Sequence, residues 1–211
     1  TKDQRFVGKT TILGAGYGMG AVRFKDQLQS FGFDMDLDEA RRVIAVYREA
    51  NFKITTLWRD AGYMIENMAR GDSVQFGLAG VVAVDAAKKA IMLPSGLLMR
   101  YDDVSGELGE QGVEYTYKVR RGRNRIYGGK VIENVCQAIA RCIIGEQMLK
   151  IAKRYRVVLT VHDSVVCCVP EEKVPEAQEY IEGCMRWLPA WADGMPIDCE
   201  SGIGKSYGDC E

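Results

Sequence analysis

An α+β fold follows from three features of this chain. The first 70 residues carry helical periodicity, caps and stops. The remainder carries short apolar runs punctuated by turns, Pro94-Ser95-Gly96 above all. A polar dyad, His162-Asp163, interrupts two strand-like apolar runs, Val157 to Val161 and Val165 to Val169. Helices first, then strands with flanking helices, predict a helical part over residues 1–88. A partial antiparallel sheet with flanking helices is expected over 89–211.

The elements follow in order. Arg5 to about Ala15 reads as a helix that ends in the glycine-rich turn 14–20. Residues 21–31 give a second helix. Asp36 or Asp38 caps a third, which runs to about Ala50, and 53–70 form a fourth that stops before Gly71. Ala90 to Leu93 and Leu97 to Tyr101 read as strands around the Pro-Ser-Gly turn. Residues 102–112 are acidic and glycine-rich and read as a loop. Val113 to Val119 alternates weakly, as a strand does. A basic stretch, Lys118 to Lys130, leads into a long helix to about Arg154. The His-Asp hairpin comes next, then a helix from about Glu172 to Leu188 and a last strand near Ile197 to Glu200.

With 211 residues the chain can bury a substantial core. Its net charge of −1 makes any nucleic-acid surface local rather than global. The longest apolar stretch, 76–84, is too short to span a bilayer. The start has no signal-peptide character. The missing initiator Met suggests a trimmed chain, a fragment or N-terminal processing. Seven cysteines without a Cys-x-x-Cys pair, and a single His, argue against structural zinc. They suit reduced, buried thiols in a cytosolic protein.

Five sequence features bear on chemistry. Arg5, Lys9 and Leu13 recur at i+4 with Tyr17 one step further, so they share one helix face. Two cations and an apolar group in line suit a triphosphate, its sugar and its base; an amphipathic surface helix has the same spacing. Gly8-Lys9-Thr10 would complete a P-loop only with Gly at position 3, which is Asp3. The glycines of 14–20 are spaced by twos, unlike a dinucleotide fingerprint. Lys118, Arg120, Arg121, Arg123, Arg125 and Lys130 form a run with no acid between Glu114 and Glu133. Such a run is either a solvated surface or a nucleic-acid contact. Asp163 within an apolar run needs a partner or a metal if buried. The plain alternatives are a core imidazole for His162 and a turn residue for Asp163.

Taken together, the motifs resemble the family A DNA polymerases, and phage members most closely. Arg5-x-x-x-Lys9-x-x-x-Leu13-x-x-x-Tyr17-Gly18 resembles their fingers helix. The resemblance implies that Arg5 and Lys9 bind the incoming triphosphate and that Tyr17, beside Gly18, guards the templating base. The family usually has an aromatic residue where this chain has Leu13, the position that packs on the nucleotide sugar. Tyr127-Gly128-Gly129-Lys130, followed by Glu133-Asn134 and Gln137-Ala138, resembles the helix that lies along the primer–template duplex. Gln137 would reach the minor groove, whose degenerate code suits an enzyme accepting any base pair. Asn134, Lys130, Arg125, Arg123 and Arg121 would join the DNA-binding set. Polymerase I places its Asn four residues before the Gln, where this chain has Glu133.

Val161-His162-Asp163 resembles the palm carboxylate motif. There Asp163 would hold catalytic Mg²⁺ and His162 would sit near the primer terminus. Ser164 replaces the Glu of polymerase I. Residues 197–207 resemble the family's last strand and C-terminus. The resemblance therefore implies a helical fingers portion over 1–88 and a palm portion over 89–211. The second catalytic Asp, in a motif resembling Asp-Tyr-Ser-x-x-Glu, and the thumb are not found in the sequence. They would come from an N-terminal polypeptide, making this chain a split subunit or a fragment. The alternative is a DNA-binding remnant without catalysis. Primer–template DNA and dNTPs are the expected partners, no membrane is expected, and the host-cell cytoplasm is the expected location.

Overall fold

A computed structural model describes residues 1–72, 74–77, 82–109 and 112–210. Residues 78–81 of the long apolar run and 110–111 of the acidic segment lie outside them. The fold is α+β, with long helices and small antiparallel sheets. The chain packs as two compact units, Thr1–Met92 with Leu98–Cys136, and Leu93–Leu97 with Gln137–Glu211.

The first unit begins with four helices, α1 (Lys2–Ala15), α2 (Ala21–Ser30), α3 (Leu37–Ala50) and α4 (Phe52–Arg70). Helix α1 starts earlier than Arg5 because Thr1 and Gln4 form a reciprocal capping box. Asp36, not Asp38, caps α3; its Oδ1 accepts from the Glu39 amide at 2.7 Å. Asn51 alone separates α3 from α4. Gly71 ends α4 with φ 83°, the left-handed conformation that glycine tolerates best. Phe24 and Leu28 of α2 meet Ala15 of α1 and Ala40 and Ile44 of α3 in one buried cluster. Phe6 stacks on Phe33 at its margin, centroids 4.8 Å apart.

Two three-stranded antiparallel sheets belong to the same unit. The first orders β1 (Ala83–Asp85), β2 (Ala90–Met92) and β3 (Leu98–Arg100). The second orders β4 (Ser105–Gly109), β5 (Gly112–Lys118) and β6 (Arg123–Ile126). The loop expected over 102–112 is therefore largely strand. Two of its glycines, Gly106 and Gly109, sit under neighbouring side chains, whereas Gly112 turns the chain with φ 115°. A Cβ on Gly106 would lie 2.7 Å from the Tyr115 ring and 2.7 Å from Val113. Glycine lets this strand pass beneath its neighbour's side chains.

Helix α5 (Gly128–Ile151) follows, and its residues from Gln137 onward belong to the second unit. That unit adds the hairpin β7 (Val157–Val161) and β8 (Ser164–Cys167), then α6 (Val174–Met185). Residues 171–173 form a separate 3-10 turn, and α6 begins at Val174 with Pro175 in its first turn, where no amide is needed. Gln147, almost fully buried, donates to the carbonyls of Met185 (2.6 Å) and Trp187 (3.0 Å). It thereby satisfies acceptors that the end of α6 leaves without helical partners.

The strand expected at 197–200 does not form. Those residues are held along α6 by side chains instead. Arg186 donates to Asp198 Oδ1 (2.7 Å), Glu182 Oε2 (2.8 Å) and the Cys199 carbonyl (3.1 Å). Ser201 donates to Glu182 Oε1 at 2.5 Å. The seven thiols are free, but only Cys142 and Cys184 are buried; Cys167, Cys199 and Cys210 are half-buried and Cys136 and Cys168 exposed. Among the described residues no helix is long and apolar enough to cross a membrane.

Candidate functional site

Helix α1 presents Arg5, Lys9 and Leu13 along one exposed stripe. Leu13 is 58% exposed, a large apolar side chain open to solvent over more than half its surface. Neither cation has an ion-pair partner among the described residues, so both guanidinium and ammonium are open to an anion. The helix ends at Ala15, so Tyr17 belongs to the turn that follows rather than to the helical stripe. Gly18 continues that turn with φ 87°.

The turn is gripped by two other elements of the same unit. Trp58 Nε1, from α4, donates to the Gly16 carbonyl at 3.0 Å. The start of α5 approaches from the other side. A Cβ on Gly129 would lie 2.5 Å from the Tyr17 carbonyl oxygen, and one on Gly128 would overlap the Trp58 carbonyl. Only glycine permits these backbone contacts. Tyr17 is half-buried here; that burial, with Cys136 and Glu133 nearby, raises its phenol above the usual range. The Tyr17-Gly18 and Tyr127-Gly128-Gly129 motifs, more than a hundred residues apart in sequence, are thus one piece of structure.

A cavity of about 430 Å³ opens at this junction, lined by Gly18, Arg48, Thr55, Trp58, Arg59 and the Tyr127–Gly129 segment. Sequence reasoning missed Arg48, Trp58 and Arg59. Thr55, Trp58 and Arg59 stand at i, i+3 and i+4 on α4 and so share a face, the one signal available for them. Arg48 comes from α3 and had none. Asn134, one turn further along α5 from Lys130, donates to Tyr101 Oη at 3.2 Å. Burial pushes the Tyr101 phenol up to about 12.

The basic segment divides in the structure. Arg123 donates to Thr116 Oγ1, Asp103 Oδ2, Ser105 Oγ and the carbonyls of Asp103 and Thr116, at 2.5–3.1 Å. That hydrogen-bonded guanidinium holds the Asp103 carboxyl below its usual range. Arg125 pairs with Glu114 at 2.9 Å and Lys130 with Glu133 at 2.8 Å. Arg121 stands exposed in the β5–β6 turn.

In the second unit Gln137 is exposed on α5. His162 and Asp163 form the two-residue loop of the β7–β8 hairpin, closed by the Val161↔Ser164 pair. Both side chains are exposed, so His162 is not a core imidazole. The fold avoids the cost of burying Asp163 by carrying it to a tip in solvent. Its carboxylate has no hydrogen-bond or ion-pair partner among the described residues. His162 has φ 53°, a left-handed conformation that costs a residue with a Cβ about 1–2 kcal/mol. Such strain concentrates at functional positions. As a ligand set the tip offers one hard carboxylate, chemically suited to Mg²⁺. Among the described residues no three His, Cys, Asp or Glu side chains gather as a metal cage.

No family model matches the chain, and no solved structure matches it significantly. Two curated relatives do. A DNA polymerase of Bacillus phage SP02 is 28% identical over 95% of this chain, and a DNA polymerase of Bacillus phage SP01 is 22% identical over 99%. This chain spans 32% of the first relative's length and 21% of the second's, so it is similar to a part of each phage DNA polymerase.

Proposed function

We propose that this chain is the C-terminal fingers–palm part of a family A DNA polymerase, extending a primer under template direction. The observation that carries this reading is the open Arg5–Lys9–Leu13 stripe, which runs into the clasped Tyr17–Gly18 turn. Similarity over nearly the whole chain to phage DNA polymerases supports it. Arg5 and Lys9 would hold the triphosphate of an incoming dNTP through charge-assisted contacts. Leu13 would lie against its sugar. Tyr17 and Gly18 would abut the templating base. The adjoining cavity, with two guanidinium groups and the Trp58 and Tyr127 rings, has the chemistry for a nucleotide of single-stranded template.

Asp163 would supply one carboxylate to Mg²⁺, which when bound clamps the attacking and leaving oxygens of phosphoryl transfer. The strained loop fixes where that carboxylate points, and His162 beside it would face the primer terminus. Gln137 and Asn134 would follow the duplex. A two-metal centre needs a second carboxylate, which we assign with the thumb to a preceding polypeptide. The phage relatives are about three to five times longer than this chain.

Primer extension with Mg²⁺ tests the assignment, using this chain together with the preceding segment. The pair should extend the primer. Asp163→Ala should reduce turnover at least a thousandfold, about 4 kcal/mol of transition-state stabilisation, with DNA binding retained. Near-normal turnover of Asp163→Ala would remove Asp163 from the metal site. DNA binding without any extension by the wild-type pair would establish a non-catalytic remnant instead.

A further inference from the structure

We propose that the β5–β6 turn is the phosphate-gripping part of the basic segment, with Arg120 and Arg121 as its contacts. In this proposal Arg123 and Arg125 build the sheet and do not bind. The inference rests on the nucleic-acid reading above and narrows it to one turn.

The division follows from where each cation's donors go. All three guanidinium nitrogens of Arg123 are engaged within the sheet, joining Thr116 of β5 to Ser105 of β4 and to Asp103. Releasing them to a phosphate would break the Asp103 ion pair and four further hydrogen bonds of the sheet. Arg125 is neutralised by Glu114 across the β5–β6 pair. Lys130 is neutralised by Glu133 one turn along α5. Arg120 and Arg121 differ. Both are exposed, and neither has a hydrogen-bond or ion-pair partner for its side chain among the described residues.

The turn that carries them is built rather than loose. The Val119 amide donates to the Gly122 carbonyl at 3.0 Å, and Gly122 turns the chain with φ 86°. Behind it the Lys118 amide donates to the Asp102 carbonyl at 2.7 Å. Two adjacent arginines are therefore held at the apex of a closed turn, with Lys118 at its base.

Charge along the ribbon gives the contact a direction. Glu107 and Glu114 face each other as cross-strand partners toward the β4–β5 end. Lys118 faces Arg123 at the β5–β6 end. Four residues of strand, about 13 Å, separate Glu114 from Lys118. With Glu114 offset by Arg125 and Arg123 by Asp103, Glu107 remains toward one end and Lys118, Arg120 and Arg121 at the other, so a polyanion is drawn to the β5–β6 turn. The two guanidinium groups stand on a turn, not on a helix or strand that could enter a groove, which suits phosphate oxygens, so the ligand class is the phosphodiester backbone, here of the duplex in the reading above.

The test is duplex binding against salt, using the full chain and a 20-base-pair DNA (~20 bp is enough to cover one such surface). Arg120→Gln/Arg121→Gln should lower the slope of log K against log salt by about 1.8, two phosphates at ~0.9 each. The loss should be the same for unrelated sequences. Arg125→Gln should leave the slope unchanged. Arg123→Gln should lower the thermal midpoint, a readout that a solvated or phosphate-binding arginine would not move. An unchanged slope in the double variant, with wild-type binding still salt-dependent, would overturn this proposal and leave the nucleic-acid reading standing. Absence of salt-dependent binding by the wild-type chain would overturn both.

Discussion

Gly129→Ala should separate the two motifs that meet at Tyr17. The added methyl would lie 2.5 Å from the Tyr17 carbonyl oxygen and 3.3 Å from the Tyr127 ring. The first distance is about 1 Å inside ordinary van der Waals contact. A backbone carbonyl cannot rotate away as a side-chain tip can, so the turn after α1 must move off the start of α5. Overpacking of this kind costs about 1–3 kcal/mol. Better helix propensity of Ala returns at most about 1 kcal/mol, and less so near a helix start. A net loss of about 2 kcal/mol lowers the thermal midpoint by about 4–8 °C for a chain of this length. Gly62→Ala is the matched control, because nothing lies within 4 Å of its added methyl in the middle of α4. It should raise stability by up to about 1 kcal/mol. Calorimetry on both variants gives opposite signs if the junction is as tight as described. A Gly129→Ala protein as stable as Gly62→Ala would refute the close approach of Tyr17 and Gly129. Under the proposed function, the same variant should also insert mismatched nucleotides more often in primer extension, since Tyr17 would be displaced.

Three further outcomes are expected. Arg5→Ala and Lys9→Ala should raise the KM for dNTP in steady-state primer extension, because both groups are exposed and have no ion-pair partner among the described residues; unchanged KM and turnover would remove them from the triphosphate. Leu13→Tyr should increase incorporation of dideoxynucleotide terminators, since a phenolic hydroxyl would occupy the place of the absent sugar 3′-OH; equal selectivity before and after would move Leu13 away from the sugar. The strap on α6 should release in acid. Hydrogen bonds from Ser201 and Arg186 lower the Glu182 carboxyl, and those from Arg186 and the Cys199 amide lower Asp198. A depressed folded pKa contributes stability above the unfolded value and loses it as pH falls through the folded one. Exchange protection of the Cys199 amide, which donates to Asp198 at 2.8 Å, should therefore persist through neutral pH and vanish only below the usual carboxylate range. Protection surviving there, or unaffected by Arg186→Gln, would refute the strap.

The boundaries of α3 and α4 were legible because their signals are local. Asp36 accepts from an amide three residues on, and Gly71 needs only its own φ. The His162-Asp163 hairpin was legible for the same reason, since two apolar runs flank two polar residues. Residues 105–109 misled because the glycine that suits a loop also suits a strand crowded by Tyr115. Residues 197–200 misled in the opposite sense. Their alternation suits a strand, yet Arg186, just past the end of α6, supplies the donors that a neighbouring strand would have supplied.

The candidate site divides along the same line. The stripe Arg5–Lys9–Leu13 could be read from residue order alone, because i+4 spacing is a property of the helix and needs no other element. Residue order also placed Asp163 at a hairpin tip. Packing between distant elements brings Tyr17 against Gly129, gathers Arg48, Trp58 and Arg59 with Gly18 and Gly129 around one cavity, and engages Arg123 and Arg125. The physical reason is that a side chain's residue type states what it can donate or accept. Whether that capacity is open to a ligand depends on which distant groups fold against it, and neighbours in sequence carry no record of those.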